Sequence, residues 1–111
     1  MSNVNFVHDG DAIDYTPSLA VSAGDVVVQG ELVGVAKKNI AANALGALHV
    51  KGVFDFPKAT TSTSAITAGA LCYWDDNNDV ATTTSSGNKL IGKCVAAAAA
   101  ADTTVRIRMD Q

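Results

Sequence analysis

The chain has 111 residues, enough for one domain that buries its core without needing disulfides or a metal. Its formal net charge is −3 and its eight cations are scattered, which argues against a protein whose main task is to hold nucleic acid, because phosphate binding depends on clustered Lys and Arg. Apolar residues make up 48% of the chain and aromatic residues only 5%, so we expect a core of small side chains that gains further burial by self-association.

Targeting and membrane segments are not predicted. The N-terminus has no basic region followed by an apolar stretch and a small-residue cleavage site, so a secretory signal is not expected. The longest apolar run, Val95 to Ala101, is far shorter than the ~20 residues that a membrane span requires. We therefore expect a soluble protein that is made and kept in a cytoplasm and has no membrane partner.

Residues 1–17 are the first predicted element, an extended N-terminal arm. This stretch has few side chains with which to build a core, and its apolar and polar residues alternate, as in a strand that adds to the exposed edge of a sheet. Two alternatives remain open: the arm pairs with this chain's own sheet, or it swaps into a neighbouring subunit. We predict that the arm binds a partner protein, with Phe6 as anchor, through Asn3, Val4, Asn5, Phe6 and Val7.

Residues 18–111 are predicted to form a single all-β domain, a small antiparallel β-barrel or β-tulip-like fold. Period-2 alternation interrupted by Gly, Asn, Asp and Ser dominates this region, and that pattern is typical of short strands joined by turns. Two alanine-rich segments favour helix by propensity but are too short to be stable as isolated helices. The predicted hairpins and strands are Asp25–Ala36, Ala47–Phe56, Leu71–Thr83, Lys89–Ala96 and Thr103–Met109.

The alternating strands predict the core. In the strand Ala47–Phe56, the apolar positions fall on one face and Gly52 interrupts that face, which indicates a bulge or a bend around a small barrel. The last strand places Val105, Ile107 and Met109 on its inner face. We predict that one core contains Leu48, Val50, Phe54, Val105 and Ile107.

Two halves of the domain correspond to each other. Ala23–Val28 followed by Leu32–Ala36 is echoed by Ala68–Tyr73 followed by Leu90–Cys94, and an alanine-containing connection then leads to an alternating strand in each half. This pattern indicates a degenerate duplication, although chance similarity between short Gly/Ala/Val strings is an open alternative. A single barrel or sandwich with pseudo-symmetric halves is expected.

Catalytic and metal-binding patterns are not found in the sequence. His8 lies in the arm and His49 on the polar face of a strand, with no nucleophile elbow to accompany either. The run Asp75–Asp79 begins like a calcium loop but lacks the Gly and Glu that such a loop needs at its sixth and twelfth positions. No phosphate-binding loop is present, and Cys72 and Cys94 are expected to be free buried thiols. We predict no catalytic residue, cofactor or metal, and hence a protein that is not an enzyme.

Large side chains suited to an oligomer interface are few. Tyr73 and Trp74 are the candidates, and the alternative is that both simply belong to the core. Self-association into an oligomer is the expected assembly.

One ordered set of motifs spans residues 6–108: Phe6–Val7 with Gly10–Asp11, Ser22–Val27, Gly34–Ala36, Gly52–Ala59, Tyr73–Asp75, Ile91–Gly92 and Asp102–Arg108. In this order and spacing the motifs resemble the phage capsid cement, or decoration, proteins. That family was once classed as a domain of unknown function and is often labelled a RecA/RadA-type phage recombinase. The lack of a phosphate-binding loop and the acidic charge argue against the recombinase label for this chain.

The resemblance implies a structural virion protein that binds the outer surface of the assembled head. Its partners would be the major capsid protein and two further copies of itself, and it would stabilise the head against internal pressure after being made in the host bacterial cytoplasm. The arm would then be the element that contacts the capsid. Two rival functions stay open: a nucleic-acid-processing accessory protein, which would bind DNA with a strong dependence on salt, and another head or head-tail component.

Overall fold

The computed structural model describes residues 3–110; Met1 and Ser2 of the predicted arm and Gln111 at the end of the predicted domain lie outside the described residues. The described chain forms nine β-strands and no helix, and all neighbouring strands within its two sheets are antiparallel, which confirms the all-β prediction. The strands are β1 (Ala12–Tyr15), β2 (Val26–Gln29), β3 (Leu32–Val35), β4 (Gly46–His49), β5 (Gly52–Pro57), β6 (Leu71–Asp75), β7 (Val80–Thr82), β8 (Lys89–Cys94) and β9 (Thr104–Met109).

The first sheet has four strands in the order β1-β4-β3-β2. Strands β2 and β3 form the predicted hairpin, in which Gln29 pairs with Leu32. Gly30 in the turn has a φ of 62°, which glycine adopts without the steric cost that a side chain would add. Strand β1 lies at the opposite edge, where Tyr15 pairs with Gly46. Residues 12–15 of the predicted arm therefore belong to this sheet, whereas residues 3–9 have no regular structure.

The second sheet has five strands in the order β5-β9-β8-β6-β7. Strand β9 alternates as its sequence predicts: Val105, Ile107 and Met109 are buried, and the residues between them are exposed. Strands β6 and β7 form the hairpin predicted for residues 71–83, with Asp75 paired to Val80. On the outer face, Arg106 donates to both carboxylate oxygens of Asp55 at 2.9 and 3.2 Å, because the two residues are opposite each other in β9 and β5.

The single strand predicted over Ala47–Phe56 is wrong, because the structure divides it between the two sheets. Strand β4 ends at His49 and β5 begins at Gly52, whose φ of 130° lets the chain turn away from the first sheet. The backbone N–H of Val50 still donates to the carbonyl of Asp11 at 3.0 Å, at the end of the β1–β4 pair. The glycine predicted to mark a bend thus marks a change of sheet.

The prediction of one shared core is also wrong, because the buried apolar residues form two clusters. Val105 and Ile107 belong to the larger cluster, which lies mainly against the second sheet and includes Phe56 and Trp74. Leu48 belongs to the smaller cluster under the first sheet with Ala36 and Ile40, since the change of sheet carries it away from β5. Val50 and Phe54, which were predicted to be core residues, are only partly buried.

The two sheets do not close into a barrel. Strand β2 ends the first sheet and β7 ends the second, and the described chain shows no ladder between them. An open seam is therefore left between β2 and the β6–β7 hairpin, and a barrel with no free edges is not formed.

The same hydrogen bonds recur in the two corresponding halves. The N–H of Gly24 donates to the Ala36 carbonyl at 2.6 Å, and the N–H of Gly69 donates to the Cys94 carbonyl at 2.7 Å. Both glycines have a positive φ, 91° and 86°. An isolated antiparallel bridge precedes each glycine by three residues, Val21 with Ile40 and Ile66 with Ala98. The two halves thus share a long-range bonding pattern as well as a sequence pattern, and their origin by duplication stays a prediction.

Candidate interaction surfaces

The segment before β1 is the most exposed apolar part of the described chain. Val4, Phe6 and Val7 have 86%, 83% and 82% of their surface accessible. Residues 3–9 form no strand and donate no backbone hydrogen bond to another element. Large apolar side chains gathered in one exposed segment are typical of a contact site for another molecule, since folding alone leaves them in water. The predicted arm residues are thus accessible for binding.

The base of this segment is fixed to the first sheet. Ala12 pairs with His49, and the carbonyl of Asp11 accepts from Val50 as described above. The free segment therefore projects from the end of an edge strand, and a turn at Gly10 and Asp11 separates it from β1. Residues 3–9 form no strand within the described chain, so they are available to add as a strand to the sheet of another protein.

The two predicted oligomer contacts lie in different environments. Trp74 is buried, its ring centroid is 6.1 Å from that of Phe56, and its Nε1 donates to Asp76 at 3.1 Å. Tyr73 is half-buried on the opposite face of β6. The structure thus places Trp74 in the core, although its edge also lines the open seam between the sheets.

The loop between β3 and β4 carries a surface that the sequence analysis missed. Leu45 is 72% exposed, and Leu19 in the adjoining loop is 79% exposed; the two loops are joined where Asn43 donates to the Pro17 carbonyl at 2.7 Å. These two leucines were missed from the sequence because each is a single apolar residue that follows no strand or helix periodicity. We define the basic patch as the exposed residues of this loop that border a groove beside β4, namely Lys37, Lys38, Asn39, Ala41 and Leu45.

Charge within the basic patch is of one sign. The Lys37 ammonium lies 5.8 Å from the centroid of the Phe54 ring, a cation–π arrangement. The pKa of the neighbouring His49 is lowered, first by partial burial and second by the positive charge of Lys37. The groove beside the patch has no carboxylate among its lining residues. The patch is therefore suited to a partner that carries negative charge.

The open seam has the opposite charge. It encloses about 540 Å³ between β2 and the β6–β7 hairpin, and its floor is apolar. We define the acidic seam by its three carboxylates and the apolar side chains between them: Asp25, Asp76, Asp79, Val26, Val28, Pro57 and Trp74. No cation lines it.

Lys58 is a buried cation with a structural role. Its Nζ donates to the carbonyls of Ala59 and Ala100 at 2.6 and 3.1 Å and to the Ser64 hydroxyl at 3.2 Å. A buried ammonium needs such acceptors because its desolvation is otherwise very costly. Lys58 thereby holds the Ser/Thr-rich loop after β5 against the turn before β9.

The two cysteines are predicted to be unreactive in the folded protein. Both are free and buried, and burial together with the nearby Cys94 raises the pKa of the Cys72 thiol to about 11. Because the thiolate is the reactive form, we expect negligible reaction with Ellman's reagent at pH 8 in the native state and two equivalents after unfolding in guanidinium. Rapid stoichiometric labelling of the native protein would contradict this placement.

Other candidate sites are few. Within residues 3–110 no group of three or more His, Cys, Asp or Glu side chains is arranged to hold a metal ion. The Asp75–Asp79 run forms a turn in which Asp75 accepts from the backbone and side chain of Asn78, and these bonds lower the pKa of its carboxyl. The part of the chain that the structure describes contains no helix able to cross a membrane.

The fold is that of an all-β protein whose described residues include an exposed apolar segment. A family model described as phage cement protein matches residues 7–109. The chain therefore belongs to the phage cement protein family, whose members are structural, non-enzymatic proteins. Membership makes it a capsid-associated structural protein of a phage virion. No curated protein and no solved structure matches the chain in the corresponding comparisons.

Proposed function

We propose that this protein binds the outer surface of the assembled head as a trimer and stabilises the head against internal pressure. The observation that carries the proposal is the exposed apolar arm on a member of the cement family. The arm is the principal contact with the major capsid protein, and Phe6 is its anchor. The folded sheets present the arm to the capsid surface.

Burial on a partner explains why the arm is apolar. Transfer of a side chain as large as Phe6 out of water contributes roughly 2–3 kcal/mol. Fixing the arm backbone costs about 1–2 kcal/mol per residue, which its own side chains cannot offset while they remain in water. Strand addition to a capsid sheet would supply main-chain hydrogen bonds as well as pockets for alternate side chains. Order in the arm is therefore expected on the head.

Stabilisation of the head would follow from many modest contacts. A trimer that bridges neighbouring capsid subunits adds an interface that must be broken before the subunits separate. Once one arm of a trimer has bound, the other two arms are held near the capsid surface. The trimer therefore binds more tightly than a single arm would. Packaged DNA presses the shell outward, and this added interface opposes that pressure.

Deletion of residues 1–9 is expected to abolish binding to purified heads that lack the protein, and to leave a folded oligomer. The truncation ends before Asp11, so the bond to Val50 and the β1–β4 pair are retained. Co-sedimentation with heads measures binding, and circular dichroism with light scattering measures fold and mass. Truncated protein that decorates heads with unchanged affinity would place the contact on the sheets instead.

A pair of point variants makes the same test without truncation. Phe6→Ala is expected to weaken head binding by at least tenfold, since about 1.4 kcal/mol corresponds to a factor of ten and more than this is lost with the ring. Asn5→Ala, its neighbour in the arm, is the matched control and should change affinity by less than twofold. Added duplex DNA should not compete at any salt concentration, whereas a nucleic-acid accessory protein would bind it strongly at low salt.

A further inference from the structure

The charges of the basic patch and the acidic seam have no ion-pair partners within the described chain. The three ion pairs of the described residues are Lys89 with Glu31, Arg106 with Asp55 and Arg108 with Asp110. Lys37 and Lys38 of the patch are exposed and belong to none of these pairs, and neither do the three carboxylates of the seam. The fold thus separates two unpaired groups of opposite sign.

The two surfaces are adjacent but separate, and they share no lining residue. Val21 and Ile40 are bridged to each other by two backbone hydrogen bonds of 2.8 Å; Val21 lines the seam and Ile40 lines the groove beside the patch. Within one described copy the patch lysines form no ion pair with the seam carboxylates, so both surfaces remain available to another copy. Two copies can join the patch of one to the seam of the other in a head-to-tail arrangement.

We propose that the basic patch of one copy docks into the acidic seam of the next and that this contact forms the trimer. The inference rests on the trimeric assembly in the proposed function and assigns its interface. A threefold ring joins two different surfaces of each subunit, so it requires a complementary pair of surfaces such as these. Leu45 enters the seam beside the edge of Trp74, and the two lysines face Asp76 and Asp79.

Apolar burial and charge have separate roles in this contact. Leu45 and the apolar floor of the seam leave water together, which supplies most of the binding energy. Exposed ion pairs each contribute little, but they fix the orientation and exclude a patch-to-patch or seam-to-seam contact, which would bring like charges together. The docked loop also covers the seam that the two sheets leave open.

Charge reversal tests the interface by light scattering at micromolar concentration. The wild type should have three times the 11.3 kDa mass of the chain. The variants K37E/K38E and D76K/D79K should each fall to the mass of one chain, and the quadruple variant that carries both reversals should regain the trimer. The variant D76N/D79N removes the two charges without a risk of misfolding, because asparagine tolerates the φ of 55° found at Asp79. It should also weaken the trimer, though less than D76K/D79K.

An apolar pair provides the matched control. Leu45→Ala should raise the dissociation constant of the trimer at least tenfold, whereas Leu71→Ala, an exposed leucine outside both surfaces, should leave it unchanged. A monomeric wild type, single reversals that remain trimeric, or a quadruple variant that folds but stays monomeric would each overturn the proposal. Head binding is measured in a separate experiment. If the charge reversals change the oligomeric state as stated but the wild-type trimer does not bind heads, the proposed function is refuted and the proposed interface is not.

Discussion

Gly92→Ala is expected to lower the free energy of unfolding by at least about 3 kcal/mol, because the new Cβ has no room. An ideal Cβ on Gly92 would lie 1.9 Å from the backbone carbonyl oxygen of Arg108, far inside contact distance. Gly92 is in β8, paired on one side with Cys72 and on the other with Met109, so neither neighbouring strand can move aside without loss of its own ladder. Urea unfolding followed by circular dichroism measures the change.

The matched control for this variant is Gly10→Ala. A Cβ at Gly10 would meet no atom within 4 Å and its φ is not positive, so the stability should change by less than about 0.5 kcal/mol. Equal urea midpoints for the two variants would show that β8 and β9 do not approach each other as closely as the structure has them.

Phe56→Ala is expected to cost about 3–5 kcal/mol, the usual range for truncation of a large buried aromatic residue. Phe56 is 1% exposed, and its ring lies between those of Phe54 and Trp74, with centroids 6.4 and 6.1 Å away. Few other large side chains are available to fill the space it would leave. For a domain of this size the melting temperature should fall by more than about 12 °C, on a scale of 4–8 °C per kcal/mol.

Val53→Ala serves as the control on the same strand. Val53 is on the opposite face of β5 and is 55% exposed, so its truncation should shift the melting temperature by no more than a few degrees. If the two truncations cost the same, the assignment of the inner and outer faces of β5 would be contradicted.

Strands with strict alternation could be predicted from sequence, because successive side chains of a strand point to opposite faces and buried residues therefore alternate with exposed ones. Strand β9 is the clearest case, since Val105, Ile107 and Met109 are buried and the arginines between them are exposed. The β2–β3 and β6–β7 hairpins could be predicted equally well, because their turns are local and rich in Gly, Asn and Asp. Local patterns thus give strands and hairpins.

Pairings between distant segments could not be predicted in the same way. Strand β1 pairs with β4 more than thirty residues later, and nothing in residues 12–15 alone indicates that partner. The division of Ala47–Phe56 between two sheets also depends on distant strands, since β5 leaves β4 in order to pair with β9. A glycine in the pattern indicated a bend at Gly52, but not its destination.

The candidate surfaces show the same limit. The arm could be predicted from the sequence, because its lack of core-forming residues is visible within the segment itself. The basic patch and the acidic seam could not be predicted, because only the folded chain shows that Lys37 and Asp76 lie in two separate surfaces without an ion-pair partner. Trp74 was predicted to be either a core residue or an interface residue, and the structure buries it in the core while it still borders the seam.

The central claim is that this chain is a head-bound structural protein of the virion, and its abundance on purified heads tests that claim most directly. Quantitative mass spectrometry of tail-free heads, with the major capsid protein as internal reference, measures the number of copies. We expect a fixed and high ratio of this chain to the capsid protein, as repeated binding over the shell requires. Absence from the heads, or only a few copies per particle as at a head–tail joint, would contradict the account.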